Sequence, residues 1–207
     1  MNIIGDIAAR YDELILLLDK MPPGQPVSVG DMVDRGNKSK EVINFFMNNG
    51  LAVLGNHEHM LLDYYNEERY YESGTWKYNG GQKTINSFNG VVPDSVINWI
   101  KNLPKYLIFD DYLISHSFVH PSLSVELACD FGSTAYSYQG DNSIIWSREE
   151  PIKRPEYKLQ IAGHNSQFGL RWFEDFAVCI DTSRQKVLTG IHLPSMKIYQ
   201  QPYLENK

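Results

Sequence analysis

The sequence predicts an α/β fold, and three observations lead to it. Short apolar runs end three times in glycine followed by a polar residue, at Gly5–Asp6, Gly30–Asp31 and Gly55–Asn56. The three polar residues lie 25 positions apart each time, room for one strand–helix unit, since a parallel crossover takes about a dozen residues or more. From Tyr106 onward, brief apolar runs alternate with turn residues, the pattern of closely connected strands.

The elements follow in order. Ile3–Ile4 reads as a strand ending at Gly5–Asp6, and Tyr11–Met21 as a helix stopped by Pro22–Pro23. Val27–Val29 is a second strand. Lys40–Asn49 is a second helix, with Ser39 as its N-cap and Gly50 as its stop. Leu51–Leu54 is a third strand. His57 to Leu103 reads as mostly helical, with aromatic pairs at Tyr64–Tyr65 and Tyr70–Tyr71, a flexible Asn79–Gly80–Gly81 and a helix near Asp94–Asn102. Tyr106–Phe109 and Tyr112–Ile114 flank the turn Asp110–Asp111 as a hairpin, and the second strand runs into Ser115–His116. A long loop, Ser117–Ser143, precedes another strand at Leu159–Ala162. Ala177–Ile180, Val187–His192 and Lys197–Tyr199 are expected to complete an antiparallel half. The chain reads as one domain, 1–207, with a helical insert at about 60–103.

With 207 residues, 43% hydrophobic and 21% charged, the chain can bury one well-formed core. A net charge of −6 argues against a general nucleic-acid or acidic-membrane binder. The two cysteines, Cys129 and Cys179, show neither metal-type nor disulfide-type spacing. The start of the sequence has no basic, apolar leader, so a cytoplasmic protein without a signal peptide is expected.

Parallel strands present their carboxyl ends on one edge of a sheet, where ligands bind in open α/β folds. Asp6, Asp31, Asn56, His116 and His164 each follow a strand directly, and His57 follows Asn56. A lone Gly–Asp is usually a turn, and a lone histidine after a strand is usually a hydrogen-bonded loop residue. Five such residues at strand ends point instead to a shared site. Carboxylate, amide oxygen and imidazole suit a divalent ion such as Mn, Fe or Zn.

Two segments carry a family resemblance. GDMVDRG, Gly30–Gly36, and GNHE, Gly55–Glu58, resemble the signature motifs of the calcineurin-like metallophosphoesterases, closest to the small bacteriophage and bacterial Ser/Thr protein phosphatases. Gly5–Ala9 aligns with the first motif of that family, GDxHG. Ser115–His116, Asn79–Gly80–Gly81, Ile144–Glu149, Ala162–His164 and Ile180–Thr182 align as well. The resemblance implies a four-layer α-β-β-α sandwich of two mixed sheets. It also implies hydrolysis of phosphomonoesters, phosphoserine and phosphothreonine proteins among them, by direct attack of a metal-activated water. Asp31 would bridge two ions, Asn56, His116 and His164 would complete the second metal position, and Asp6 would belong to the first. His57 would be the general acid, Asp34 would orient it, and Arg35 and Arg148 would grip the phosphoryl oxygens. One or two divalent ions are expected per chain, Mn²⁺ first, with Fe, Zn, Ni or Mg open. The expected partner is a phosphorylated protein or a small phosphoester. No membrane partner is expected, and nucleic acid enters only as a nucleotide substrate; the oligomeric state stays open.

One position departs from the pattern. The family has histidine where this chain has Ala8, and usually glycine where it has Ala9. A methyl group cannot coordinate, so the first metal position is expected to be weak. His59, His120 and His192 are expected to be solvated or bonded elsewhere, whereas Arg10 could fill the vacated space and hold Asp6 or phosphate. Two alternatives stand beside the monoesterase: a phosphodiesterase on cyclic nucleotides or dinucleoside polyphosphates, and a catalytically impaired relative that binds phosphate or protein.

Overall fold

The computed structural model describes residues 1–66, 74–130 and 142–204. Tyr70–Tyr71, the centre of the insert, and much of the loop Ser117–Ser143 fall outside the described residues. Among the described residues, two five-stranded mixed sheets make the frame. The first has the order β10-β9-β1-β2-β3, built from β1 (Asn2–Ile4), β2 (Pro26–Ser28), β3 (Leu51–Ala52), β9 (Val187–His192) and β10 (Lys197–Pro202). The second has the order β4-β5-β6-β8-β7, from β4 (Tyr106–Phe109), β5 (Tyr112–Ser115), β6 (Leu159–Ala162), β7 (Arg171–Phe173) and β8 (Ala177–Cys179).

The sheets pack face to face. Ile3, Val27, Val29 and Ile191 of the first meet Ile114, Leu159, Ile161 and Val178 of the second in one buried cluster. Helices α1 (Tyr11–Lys20), α2 (Ser39–Asn49), α3 (Asn56–Tyr65) and α6 (Asp94–Lys101) contribute Leu14, Leu17, Ile43, Phe46, Leu61 and Ile100 to a larger outer cluster. Between α3 and α6 lie α4 (Gly74–Trp76), a π-helical stretch Lys77–Gly81 and α5 (Gln82–Ser87). Helix α7 (Val125–Asp130) follows β5, with Val125 and Ala128 in the same outer cluster. Among the described residues, no helix is long and apolar enough to cross a membrane.

The topology differs from the sequence expectation in the last third. Strands β8, β9 and β10 do not form one antiparallel half. β8 lies parallel to β6 in the second sheet, while β9 and β10 join the first sheet antiparallel to β1 and to each other. Each sheet therefore contains a parallel triplet, β1-β2-β3 and β5-β6-β8. Two further local readings are corrected. Ser39 is the first residue of α2 rather than its cap; its hydroxyl meets Thr84 Oγ1 at 2.8 Å and accepts the Asp34 N–H. Asn79–Gly80–Gly81 is packed rather than loose, because Gly80, at φ 112°, sits so close to the loop that a Cβ would lie 2.7 Å from the Arg35 nitrogen.

Candidate active site

The carboxyl ends of the two parallel triplets meet at one cleft. β1, β2 and β3 deliver Asp6, Asp31 and Asn56, and β5, β6 and β8 deliver His116, His164 and Asp181. All six are buried. Backbone at this seam is unusual. Ala8, Ala9, Asp31, Asp34, Arg35 and His164 all have positive φ without being glycine, a conformation that costs energy and gathers where the surroundings impose it. Ile7 and Ala8 donate to the Asp31 carbonyl at 3.1 and 2.8 Å, which ties the first strand's exit to the second's. At Gly163 a Cβ would collide with the Asp6 carboxylate, so only glycine lets β6 pass that close.

Ring tautomers follow from the outer hydrogen bonds. His116 Nδ1–H donates to the Val29 carbonyl at 2.9 Å, and His164 Nε2–H donates to the Trp146 carbonyl at 3.2 Å. Their remaining lone pairs face inward. His116 Nε2 and His164 Nδ1 lie 2.8 and 3.0 Å from Asn56 Oδ1, and His116 Nε2 lies 3.3 Å from Asp31 Oδ1. Four lone-pair atoms thus converge, an arrangement that repels itself unless a cation sits among them. The donor set suits a divalent metal. Burial pushes both imidazoles below their ordinary pKa, His164 to about 3 with His116 adding to the effect, so both rings stay neutral as ligation requires.

Asp6 stands beside this group and, with Asp31 and His116, offers ligand atoms within 4.8 Å of one another. Its carboxylate accepts the His164 backbone N–H at 3.2 Å. Burial holds Asp6 well above the usual carboxylate range, and the charges of Asp181 and Asp31 push it further. Asp181 is raised by burial and by Asp31. Asp31 itself is opposed by burial, but His116 and His57 outweigh that and hold it at about 2. Crowded carboxylates of this kind call for a cation.

His57 lies beside the convergence. Its Nδ1–H donates to Asp34 Oδ2 at 2.6 Å, and its Nε2 is 3.0 Å from Arg35 Nη2 and 3.8 Å from Asp31 Oδ2. Burial works against charge on the ring, but Asp31 and the Asp34 hydrogen bond outweigh it and hold its pKa above the ordinary value. Asp34 is fixed from three sides, also accepting from Trp76 Nε1 at 2.8 Å and Thr84 Oγ1 at 2.6 Å. The helices between β3 and β4 therefore position the Asp34–His57 pair. Arg148 is exposed on the rim of the cleft, with Nη1 3.3 Å from Asn165 Oδ1.

Three participants were not singled out from sequence. Asp181 follows the same strand-end rule as the others, so the Ile180–Thr182 segment held the signal. Glu58 accepts backbone N–H groups from Asp31 (2.8 Å), Met32 (2.7 Å), Val33 (3.2 Å) and Gly55 (3.1 Å), and so clamps the GDMVDRG loop. Burial, with Asp31 adding to it, raises Glu58 to about 7. Trp76 gave no sequence signal for its bond to Asp34. The other histidines stay apart: His192 bonds Asn2, His120 accepts the Ser122 N–H, and His59 Nδ1 accepts from Trp146. Arg10 turns away from Asp6, pairing with Glu13 at 3.2 Å and stacking 3.6 Å above the Tyr203 ring.

Residues 2–188 match the Calcineurin-like phosphoesterase family. A symmetrical bis(5'-nucleosyl)-tetraphosphatase of Aliivibrio fischeri is 25% identical over 155 residues, covering 70% of this chain and 55% of that protein. The chain thus spans about half the length of the curated relatives it matches. Among solved structures, a candidate diadenosine tetraphosphatase superposes with a TM-score of 0.69 at 18% identity, covering 99% of this chain and 94% of the other. A cold-active protein-tyrosine phosphatase of a psychrophilic Shewanella gives 0.64 at 17% identity, covering 98% and 77%.

Proposed function

The chain belongs to the calcineurin-like phosphoesterase family, and from that premise we propose that its cleft hydrolyses phosphoesters with water as the nucleophile. The observation that carries this reading is the convergence of Asp31, Asn56, His116 and His164 beside the Asp34–His57 pair. Asp31, Asn56, His116 and His164 would hold a divalent cation, with Asp6 and Asp31 offering a weaker second position. Such a cation supplies a Lewis acid that offsets phosphoryl charge and acidifies water. Mn²⁺ suits the mixed oxygen and nitrogen donors.

The chain's own groups do the rest. Arg35 and Arg148 hold the non-bridging oxygens, where the guanidinium fork matches the phosphoryl geometry. When a phosphoryl group draws Arg35 away, His57 Nε2 is freed to carry a proton and give it to the leaving oxygen. Asp34 fixes the tautomer that makes Nε2 the working end. Phosphomonoesters, including phosphoserine and phosphothreonine proteins, are one substrate class. Dinucleoside polyphosphates are the second, favoured by the tetraphosphatase activity for which the Aliivibrio relative is named.

With Mn²⁺ present, purified protein is expected to release nitrophenol from p-nitrophenyl phosphate or from its bis ester. No turnover with any of several divalent metals overturns the enzyme reading in favour of a phosphate- or protein-binding module. Ala8 gives a second expected result. Its backbone keeps a left-handed φ of 49°, which histidine tolerates better than most residues, so Ala8→His adds no backbone strain beyond what Ala8 already bears. It is expected to lower the Mn²⁺ concentration for half-maximal activity by about tenfold or more, the order reported for groups that tune metal sites. An unchanged metal requirement counts against a weak first position.

A further inference from the structure

A second cavity, of about 540 Å³, adjoins the cleft through Arg35. Ala8, Arg10, Lys186, Tyr203 and Ser183 form most of its wall. We propose that this cavity, with Arg10 and Lys186 reaching from its wall, holds the phosphoryl groups next to the scissile one in a polyphosphate substrate. The inference rests on the phosphoesterase reading of the cleft and adds to it where the rest of the substrate goes.

Charge is the first argument. Arg10, Arg35 and Lys186 put three cations on one small cavity, in a chain whose net charge is −6. Local cationic focus against an acidic background selects an anion. Arg35 is the hinge of the argument, because it faces both spaces, and one guanidinium can bridge oxygens of neighbouring phosphoryl groups. Unspent hydrogen-bonding capacity is the second. Arg10 uses Nη1 on Glu13, yet its Nε has no hydrogen-bond partner among the described residues, and neither has the Tyr203 hydroxyl. Unpaired buried polar groups are costly; both atoms are closed off where Arg10 lies over the Tyr203 ring, so a ligand oxygen satisfies them by drawing Arg10 off that ring.

Construction is the third. The wall is assembled from distant segments: Leu204 N–H donates to Glu13 at 3.1 Å, Tyr203 N–H donates to the Lys186 carbonyl at 2.8 Å, and Tyr203 stacks under Arg10. Lys186 takes a left-handed φ of 56° at the end of the short turn Ser183–Gln185, where the chain turns into β9 beside the cavity. Ala8 adds only a methyl to this wall. A half-open hollow of this size, joined to the cleft at Arg35, fits a short chain of phosphates better than an extended acidic peptide.

The test compares inhibition of p-nitrophenyl phosphate hydrolysis by orthophosphate, which needs only the cleft, and by inorganic tripolyphosphate, which spans both spaces. Free Mn²⁺ is held constant. Wild-type protein is expected to bind tripolyphosphate about tenfold or more tightly than orthophosphate, the effect of one added charged contact. Lys186→Asn, with a residue that tolerates the left-handed backbone, and Arg10→Gln are each expected to erase most of that advantage. Equal inhibition by the two anions in wild type, or an advantage that survives both substitutions, overturns the proposal. So does a loss seen with an acidic phosphopeptide and not with tripolyphosphate. Calorimetric titration of tripolyphosphate into the protein needs no turnover. It reads the cavity even when nitrophenyl phosphate is untouched, the result that sinks the phosphoesterase reading instead.

Discussion

Asp31→Asn is expected to remove metal uptake and turnover together while leaving the fold intact. The isosteric amide keeps an oxygen to accept the His57 backbone N–H, which lies 3.0 Å from Oδ1, and Glu58 still holds the residue-31 N–H at 2.8 Å. What is lost is the charge at the centre of the convergence. A Lewis acid stabilises transition-state charge by several kcal/mol, so kcat/KM should fall by about a thousandfold or more. Metal content after gel filtration should fall with it.

Thermal unfolding gives a readout independent of activity. A cation at about 100 times its Kd stabilises by about 2.7 kcal/mol. In a domain of this size that raises Tm by about 5–10 °C. The shift between EDTA and Mn²⁺ should collapse in Asp31→Asn, and a full shift there would sink the ligand assignment. Asp6→Asn should behave differently. In metal-free protein, burial, Asp181 and Asp31 raise the Asp6 pKa, so the folded state holds a proton that the unfolded state releases. Metal-free stability therefore falls as pH rises from the ordinary carboxylate value towards the elevated one. Asp6→Asn should flatten that fall and raise the metal-free Tm at neutral pH.

The first sheet's parallel strands were legible because each ends in glycine plus a polar residue, a local signal. Their boundaries moved by a residue or two: the expected Leu51–Leu54 is β3 at Leu51–Ala52. The placement of β9 was not legible. Besides β10 it pairs with β1, with Asn2 opposite His192, and no neighbouring residue encodes a pairing across almost the whole chain. β7 was missed because Arg171–Phe173 exposes two of its three residues and shows no alternation. At the site, strand ends and motifs point to Asp6, Asp31, Asn56, His57, His116 and His164, and the structure brings these side chains near one another. Arg148 reaches only the rim of the cleft. Glu58 and Trp76 act through hydrogen bonds to a loop distant in sequence, so residue type alone could not disclose them. Proximity in sequence makes Arg10 a candidate filler for the gap at Ala8; it stacks on Tyr203 instead, which depends on where the last strand leaves the sheet.

His57→Ala is expected to lower turnover in proportion to how badly the leaving group needs a proton. General acid catalysis contributes about 10²–10⁴-fold. Hydrolysis of an alkyl phosphate such as phosphoserine, whose alkoxide cannot depart unprotonated, should lose most of that. Aryl phosphates, with stable phenoxide leaving groups, should lose much less. A uniform loss across leaving groups would instead assign the ring a purely structural or binding role. Asp34→Asn refines the test. The amide can keep its oxygen on His57 and Trp76, which share Asp34 Oδ2, and turn its N–H towards the Thr84 hydroxyl, which can accept, so the working tautomer survives. The substitution removes charge that supports the protonated ring. Because a raised histidine pKa keeps the acid form populated to higher pH, removing that support should move the alkaline limb of kcat to lower pH. A profile that keeps its position while its height falls would mean that Asp34 orients the ring without setting its proton affinity.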